Sequence, residues 1–364
     1  MQSRTHTTRH ASPIIGIGGM AVAAALLAST VIARGETETG PGQIPSYADF
    51  HSGRFLRYLN ASETGRIAEV PRIGLAFGER VLHAVIDSGS TGIVVAAAYI
   101  PNFDSLPVVG DGRLTYTSSG RVMVGRWVMT PVELVGEEGG RVRTEPMPVL
   151  GVTQVRCLEH ARDCTPNDRP HNIAMVGIGF GREGDSQSQS TPDKNPLLRV
   201  QTTQQHRRGY VLTPTGVHVG LTAANTRGRF TFVKLSRRPD QSDWAGTPAC
   251  IVLNGQMPPA CGSMLVDTGV SAMFMTVPPE QVAGAQATLP PGTNVSIRAG
   301  TPNNSSELYS FQVGAESPLA PDRIHLRVSN ERAFVNTSFH LLNGYDVLYD
   351  ADGGYVGFRR RAIP

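Results

Sequence analysis

Lysine is almost missing from this chain of 364 residues. Only Lys194 and Lys234 stand against 31 arginines, and the net charge is just +3. The bias reads as coding composition rather than function. The short clusters Arg207-Arg208, Arg237-Arg238 and 359–361 read as solvated surface, because no nucleic-acid-binding module surrounds them. Charge itself is scarce, at 17% of residues against 40% hydrophobic, which excludes a disordered acidic or basic chain. No sustained heptad pattern occurs, so a coiled coil is excluded. One stretch only, residues 14–32, is long and uncharged enough to cross a bilayer, which excludes a multi-span membrane protein. There is no H-E-x-x-H, no G-x-S-x-G, no Cys/His signature and no phosphate-cradling Gly loop. Those absences argue against metal hydrolysis, against serine and cysteine hydrolases, and against any metal or cofactor.

Residues 1–35 contain no Asp or Glu, and Arg4 and Arg9 precede the apolar stretch. A basic segment followed by an apolar one is the layout of an export signal. Val31 and Ala33 supply small side chains for a cut after Ala33, so residues 1–33 read as a signal peptide or, uncleaved, as an N-terminal anchor. Either way the rest of the chain is exported, to a periplasm or to the medium. The four cysteines agree, because two close pairs in an exported chain read as the disulfides Cys157–Cys164 and Cys250–Cys261. Zinc is a poorer reading, since no C-x-x-C occurs and His160 is the only histidine beside them.

Residues 34–65 are polar and read as a linker or arm, too short for an inhibitory propeptide. From Val70 onward short apolar runs alternate with turn-formers, and no long 3.6-residue period follows. A hairpin is expected across Gly78-Glu79-Arg80, a second across 117–121, and a short helix at 195–200. The fold class is all-β.

Two segments share one pattern. Ala84-Val-Ile-Asp87-Ser88-Gly89-Ser90 and Met264-Leu-Val-Asp267-Thr268-Gly269-Val270 each place an Asp after an apolar strand, then a hydroxyl, then Gly. The two Asp fall in halves of similar size, one carboxylate per half, as in an internal duplication. A strand holds a carboxylate rigidly, and the Gly lets a backbone N–H reach it. Facing loops would bring two carboxylates together, and such a pair shares one proton. One Asp is then a base for water and the other an acid toward a carbonyl oxygen.

These residues resemble the two-lobed, pepsin-like aspartic proteases over roughly 66–364, in an exported member of bacterial type. Ile73-Gly-Leu-Ala-Phe-Gly resembles the hairpin before the first Asp, and Ala174-Met-Val-Gly177 the strand that threads behind it. The resemblance implies a bilobal acid-protease fold, with an N-terminal lobe at 66–222 and a C-terminal lobe at 223–364. It implies that Asp87 and Asp267 are the catalytic pair and that Ser88 and Thr268 cross-brace the loops. Ser90 would hold the outer oxygen of Asp87, beside Gly89 and Gly269, and Tyr116 would close over substrate on a flap. The substrate implied is an extended polypeptide, the reaction endopeptidase hydrolysis, and the state a monomer that touches a membrane only through an uncleaved N-terminal segment.

Three positions depart from the family. Val270 stands where relatives carry a Thr that donates to the second Asp, which predicts a less acid activity optimum. Val94 replaces the Trp that partners the flap Tyr, and Trp127 is not placed by sequence position to substitute. The apolar-apolar-Gly before the C-terminal strand pair reads Ala333-Phe-Val-Asn336. These departures motivate the rival reading, a catalytically weak or inactive peptide- or glycan-binding module on the same fold.

Overall fold

The computed structural model describes residues 44–116, 119–161, 164–182, 189–202, 204–282 and 288–362; the export or anchor segment expected at 1–33 lies outside them. Described residues are mostly strand, in three sheets, and none of their helices reaches seven residues. Among them no helix is long and apolar enough to cross a membrane.

The nine-stranded sheet runs, edge to edge, through Val108–Tyr116, Arg121–Thr130, Met147–Cys157, Thr91–Ala96, Ala174–Ile178, Arg80–Asp87, Arg72–Phe77, Glu133–Val135 and Arg141–Arg143. The seven-stranded sheet runs through Asn304–Gln312, Asn294–Thr301, Thr247–Leu253, Ala260–Leu265, Ala333–Asn336, Met273–Val277 and Ile324–Val328. A six-stranded sheet joins Arg54–Arg57, Gly216–Leu221, Arg207–Thr213, Tyr345–Asp350, Tyr355–Arg360 and Thr231–Lys234, drawing strands from both sides of residue 222.

The hairpin expected at Gly78-Glu79-Arg80 is present, with Gly78 at φ 64° in the turn. The second is formed by Val108–Tyr116 on Arg121–Thr130; positions 117 and 118 of its turn lie outside the described residues. The reading of 34–65 as a linker is corrected for its described part. Arg54–Arg57 is an edge strand on Gly216–Leu221, and Leu56 and Tyr58 are fully buried. Its two apolar residues, Phe55 and Leu56 between arginines, make too short a run to stand out. The helix expected at 195–200 is replaced by 3-10 turns at Pro192–Lys194 and Pro196–Leu198. Each proline opens its turn, where no N–H is needed, and each turn ends after three residues. The Asn195 side chain caps the second turn by accepting the Leu197 N–H.

Strand alternation fills the core. Ile73, Leu75, Ile86 and Ile93 from the nine-stranded sheet are fully buried, as are Val295, Ile297 and Val335 from the seven-stranded one. Each such side chain contributes about 1.5–3 kcal/mol of hydrophobic stabilisation.

One arrangement occurs twice. Ala174–Ile178 runs parallel to Arg80–Asp87, with Met175 opposite Val85, and antiparallel to Thr91–Ala96, with Met175 opposite Val94. Ala333–Asn336 runs parallel to Ala260–Leu265, with Asn336 opposite Leu265, and antiparallel to Met273–Val277, with Asn336 opposite Phe274. Each Asp loop therefore leaves one strand, returns on another, and has a third strand threaded between them.

That register corrects the sequence alignment. Val85 and Leu265 stand at the same offset as Asp87 and Asp267, and so do Val94 and Phe274, so Asn336 occupies the place of Met175. The counterpart of Gly177 is Ser338, not the Asn336 that the sequence pattern selects.

Candidate active site

Asp87 ends the strand Arg80–Asp87, and Asp267 follows just after Ala260–Leu265. Both are nearly buried, 8% and 7% exposed. Their loops meet face to face. The Ser88 N–H donates to Thr268 Oγ1 at 2.9 Å, and the Thr268 N–H donates to Ser88 Oγ at 3.0 Å. Each hydroxyl then donates beneath the opposite loop, Ser88 Oγ to the Val266 carbonyl and Thr268 Oγ1 to the Ile86 carbonyl, both at 2.7 Å. Two hydroxyls thus satisfy two backbone donors and two backbone acceptors from which water is excluded.

The glycines permit the close approach. A Cβ on Gly89 would land on the Asp267 carboxylate, and one on Gly269 would lie 2.6 Å from Asp87 Oδ1. The same point beside Gly269 is 3.2 Å from Asp267 Oδ1, so the two Oδ1 atoms converge there. Both are also fixed from behind: the Gly89 N–H donates to Asp87 Oδ1 at 2.7 Å, and the Gly269 N–H to Asp267 Oδ1 at 2.8 Å.

The outer oxygens are held differently. Ser90 Oγ donates to Asp87 Oδ2 at 2.6 Å, as expected from the sequence. Asp267 Oδ2 accepts instead from Asn336 Nδ2, at 2.6 Å. Asn336 is the residue that sequence reasoning missed, because the pattern there sets it in the place of a backbone glycine. The available signal was the loss of a donor at Val270 together with the gain of an amide on the threaded strand.

Burial pushes Asp267 up to about 7, and the charge of Asp87 and a hydrogen bond with it act in the same direction. The donors Asn336 and Gly269 oppose that rise. A buried carboxyl beside a second carboxyl is the setting in which a pair keeps one proton at mild pH.

Tyr116 ends the first strand of the hairpin Val108–Tyr116 and Arg121–Thr130. Its hydroxyl donates to Met175 Sδ at 3.2 Å. Burial, followed by the charge of Asp87, raises its pKa, which places the phenol within electrostatic reach of the pair. Trp127 joins Val94 in one buried cluster against which Tyr116 and Met175 rest, though its Nε1 makes no hydrogen bond and the Tyr116 hydroxyl is on Met175. The hairpin is braced outside as well. Its second strand pairs with Met147–Cys157 as far as Arg121 opposite Cys157, and the Leu158 N–H donates to the Gly120 carbonyl.

Both expected disulfides are formed, Cys157–Cys164 beside that hairpin and Cys250–Cys261 across the hairpin that leads to Asp267. Among the described residues no cluster of three or more His, Cys, Asp or Glu could hold a metal ion. No protein-family model matches the chain, and no curated protein is significantly similar to it in sequence.

Proposed function

We propose that this protein is an exported aspartic endopeptidase of the two-lobed, pepsin-like type, with its cleft between lobes at 66–222 and 223–364. The observation that carries the reading is the pair of Asp-hydroxyl-Gly loops. They are locked face to face by reciprocal Ser88 and Thr268 hydrogen bonds, with each glycine bare against the opposite carboxylate.

The chemistry follows from a pair with one proton. Water held between Asp87 and Asp267 gives its proton to the ionised carboxylate as its oxygen bonds to the scissile carbonyl carbon. The carbonyl oxygen takes the proton held by the other carboxyl, giving a gem-diol. The C–N bond then breaks as the amine takes a proton from one carboxyl and a diol hydroxyl gives its proton to the other, leaving an amine, a carboxylic acid and the pair with one proton again. The enzyme forms no covalent bond with substrate. An extended polypeptide would add its backbone as a strand beneath Tyr116. The working unit would be a monomer, and the two disulfides support an oxidising, exported setting.

The test is digestion of a peptide library across pH by the wild type, Asp87→Asn and Asp267→Asn, with and without a statine-type peptide bearing a hydroxyl in place of the scissile carbonyl. Cleavage by the wild type that both substitutions and the inhibitor abolish supports the reading. Normal cleavage by either variant overturns it. A wild type that binds peptide or glycan without cutting would establish the binding-module reading instead.

A further inference from the structure

We infer that Asn336 is a positioning residue for Asp267: from the threaded strand it supplies to Oδ2 the donor that is lost with the hydroxyl at Val270. The inference rests on the aspartic-protease reading above.

The repeat makes the substitution visible. Ser90 and Val270 occupy equivalent places, each the third position after its Asp, and the methyls of Val270 cannot donate to Asp267. The missing donor comes from the threaded strand instead, through Asn336 Nδ2 at 2.6 Å from Oδ2. Which amide atom faces the carboxylate is decided by its other end. Asn336 Oδ1 accepts the Ser338 N–H at 3.0 Å, so the opposite rotamer would set oxygen against oxygen and donor against donor.

The backbone is strained where this orientation is fixed. Ser338 sits at φ 59°, ψ −174°, a region occupied almost solely by glycine, whereas its counterpart Gly177 is not at positive φ. Surrounding bonds hold it there. The Thr337 N–H donates to the Leu265 carbonyl, the Phe339 N–H to the Val270 carbonyl, and the His340 N–H to Ser338 Oγ. Residues 336–339 thus grip the Asp267 loop on both sides, with the Asn336 amide between.

An amide is not a hydroxyl. Ser90 Oγ can turn from donor to acceptor when Asp87 is protonated, whereas Asn336 Nδ2 can only donate. A proton on Asp267 Oδ2 would face a donor at hydrogen-bond distance. Both oxygens of Asp267 thus face donors that cannot reverse, Asn336 Nδ2 at Oδ2 and the Gly269 N–H at Oδ1. The groups that face this pair are few. Asp87 lies across from Asp267, Tyr116 lies within reach of Asp87, and Tyr349 feels the charges of Arg182 and Asp267. His340, the titratable side chain that follows the gripping segment, is directed at Asp322.

The experiment is a titration of the aspartate carboxyl carbons by NMR, without substrate, in the wild type, Asn336→Leu and Asn336→Leu/Val270→Ser. A donor favours the ionised form, so its loss raises the upper midpoint of the pair by about one pH unit. Val270→Ser restores a hydroxyl at the place equivalent to Ser90, and the midpoint returns to within about half a unit of the wild type. The alkaline limb of kcat/KM moves with it. Should Asn336→Leu not fold, Asn336→Ser, too short to reach Oδ2, gives the same reading. An unmoved midpoint in a folded variant, or no return with Val270→Ser, overturns the inference. Because the midpoint is read without turnover, a wild type with no peptidase activity would remove the functional reading alone.

Discussion

Ser88 and Thr268, far apart along the chain, each accept the other's backbone N–H on a side-chain oxygen. The two loops carrying the carboxylates are thereby fixed to one another rather than merely adjacent. A pair that must share a proton needs its separation set to a fraction of an ångström, and four buried hydrogen bonds at one crossing supply that constraint.

Thr268→Val keeps the shape of the side chain and removes its oxygen. The Ser88 N–H and the Ile86 carbonyl are then buried without this partner, at a cost of about 1–3 kcal/mol. A thermal melt is expected to show a Tm lower by a few degrees. A melt superimposable on the wild type would show that the crossing contributes nothing to stability.

On the proposed reading Asp87→Asn and Asp267→Asn are both expected to abolish peptide cleavage, yet to differ in stability. Asn at 87 removes a buried like charge, and Ser90 Oγ can turn to accept from the new amide. Asn at 267 must set its NH2 against either Asn336 Nδ2 or the Gly269 N–H, both donors. At pH 7 the melt of Asp87→Asn is expected to lie above that of Asp267→Asn. The reverse order would mean that the outer oxygens are not held as described.

The raised Asp267 fixes the direction of pH dependence. Its proton is present below about 7 and lost above it, so kcat/KM falls as pH rises through about 7. Folding stability follows the same group. A carboxyl raised in the folded state binds a proton that the unfolded chain has released, so its contribution to stability is greatest below about pH 4 and declines toward pH 7, opposite in sign to that of His206, His218 and His340, which burial lowers. A sharp optimum at pH 2–3 would contradict the first expectation, and a stability difference between the wild type and Asp267→Asn that does not fall across this window would contradict the second.

Gly89→Ala places a methyl on the Asp267 carboxylate, and Gly269→Ala places one against Asp87. Either change forces the pair apart. Circular dichroism should still report the sheets while peptidase activity is lost, on the order of 100-fold or more. Activity within a few-fold of the wild type would show that the carboxylates need not approach.

Tyr116→Phe removes a hydroxyl whose acceptor is the thioether of Met175, a weak partner, so stability should change by less than about 1 kcal/mol. Tyr116→Ala removes the ring itself and should raise KM about tenfold or more if the hairpin covers substrate. Equal kinetics for the alanine variant and the wild type would separate this hairpin from substrate binding.

The all-β fold was legible because its signals are local. Val81, Ala84 and Ile86 precede Asp87 in one short run, Gly78 marks the turn before it, and Cys250 stands close to Cys261 along the chain. Strand Arg54–Arg57 was not legible. Only Leu56 among its residues is fully buried, and its worth comes from a partner strand far along the chain, where it sits opposite Val217.

Sequence alone determined which residues could do chemistry: two Asp, each after a strand and before a hydroxyl and a glycine. Those requirements are met within a handful of neighbouring residues, so they are written in order along the chain. Tertiary structure decided how each carboxylate is held. Asn336 reaches Asp267 from a different strand, and its orientation depends on Ser338 adopting a conformation that its side chain disfavours. No pattern of residue types predicts that, because strand register, not composition, sets which residue of the threaded strand faces the carboxylate.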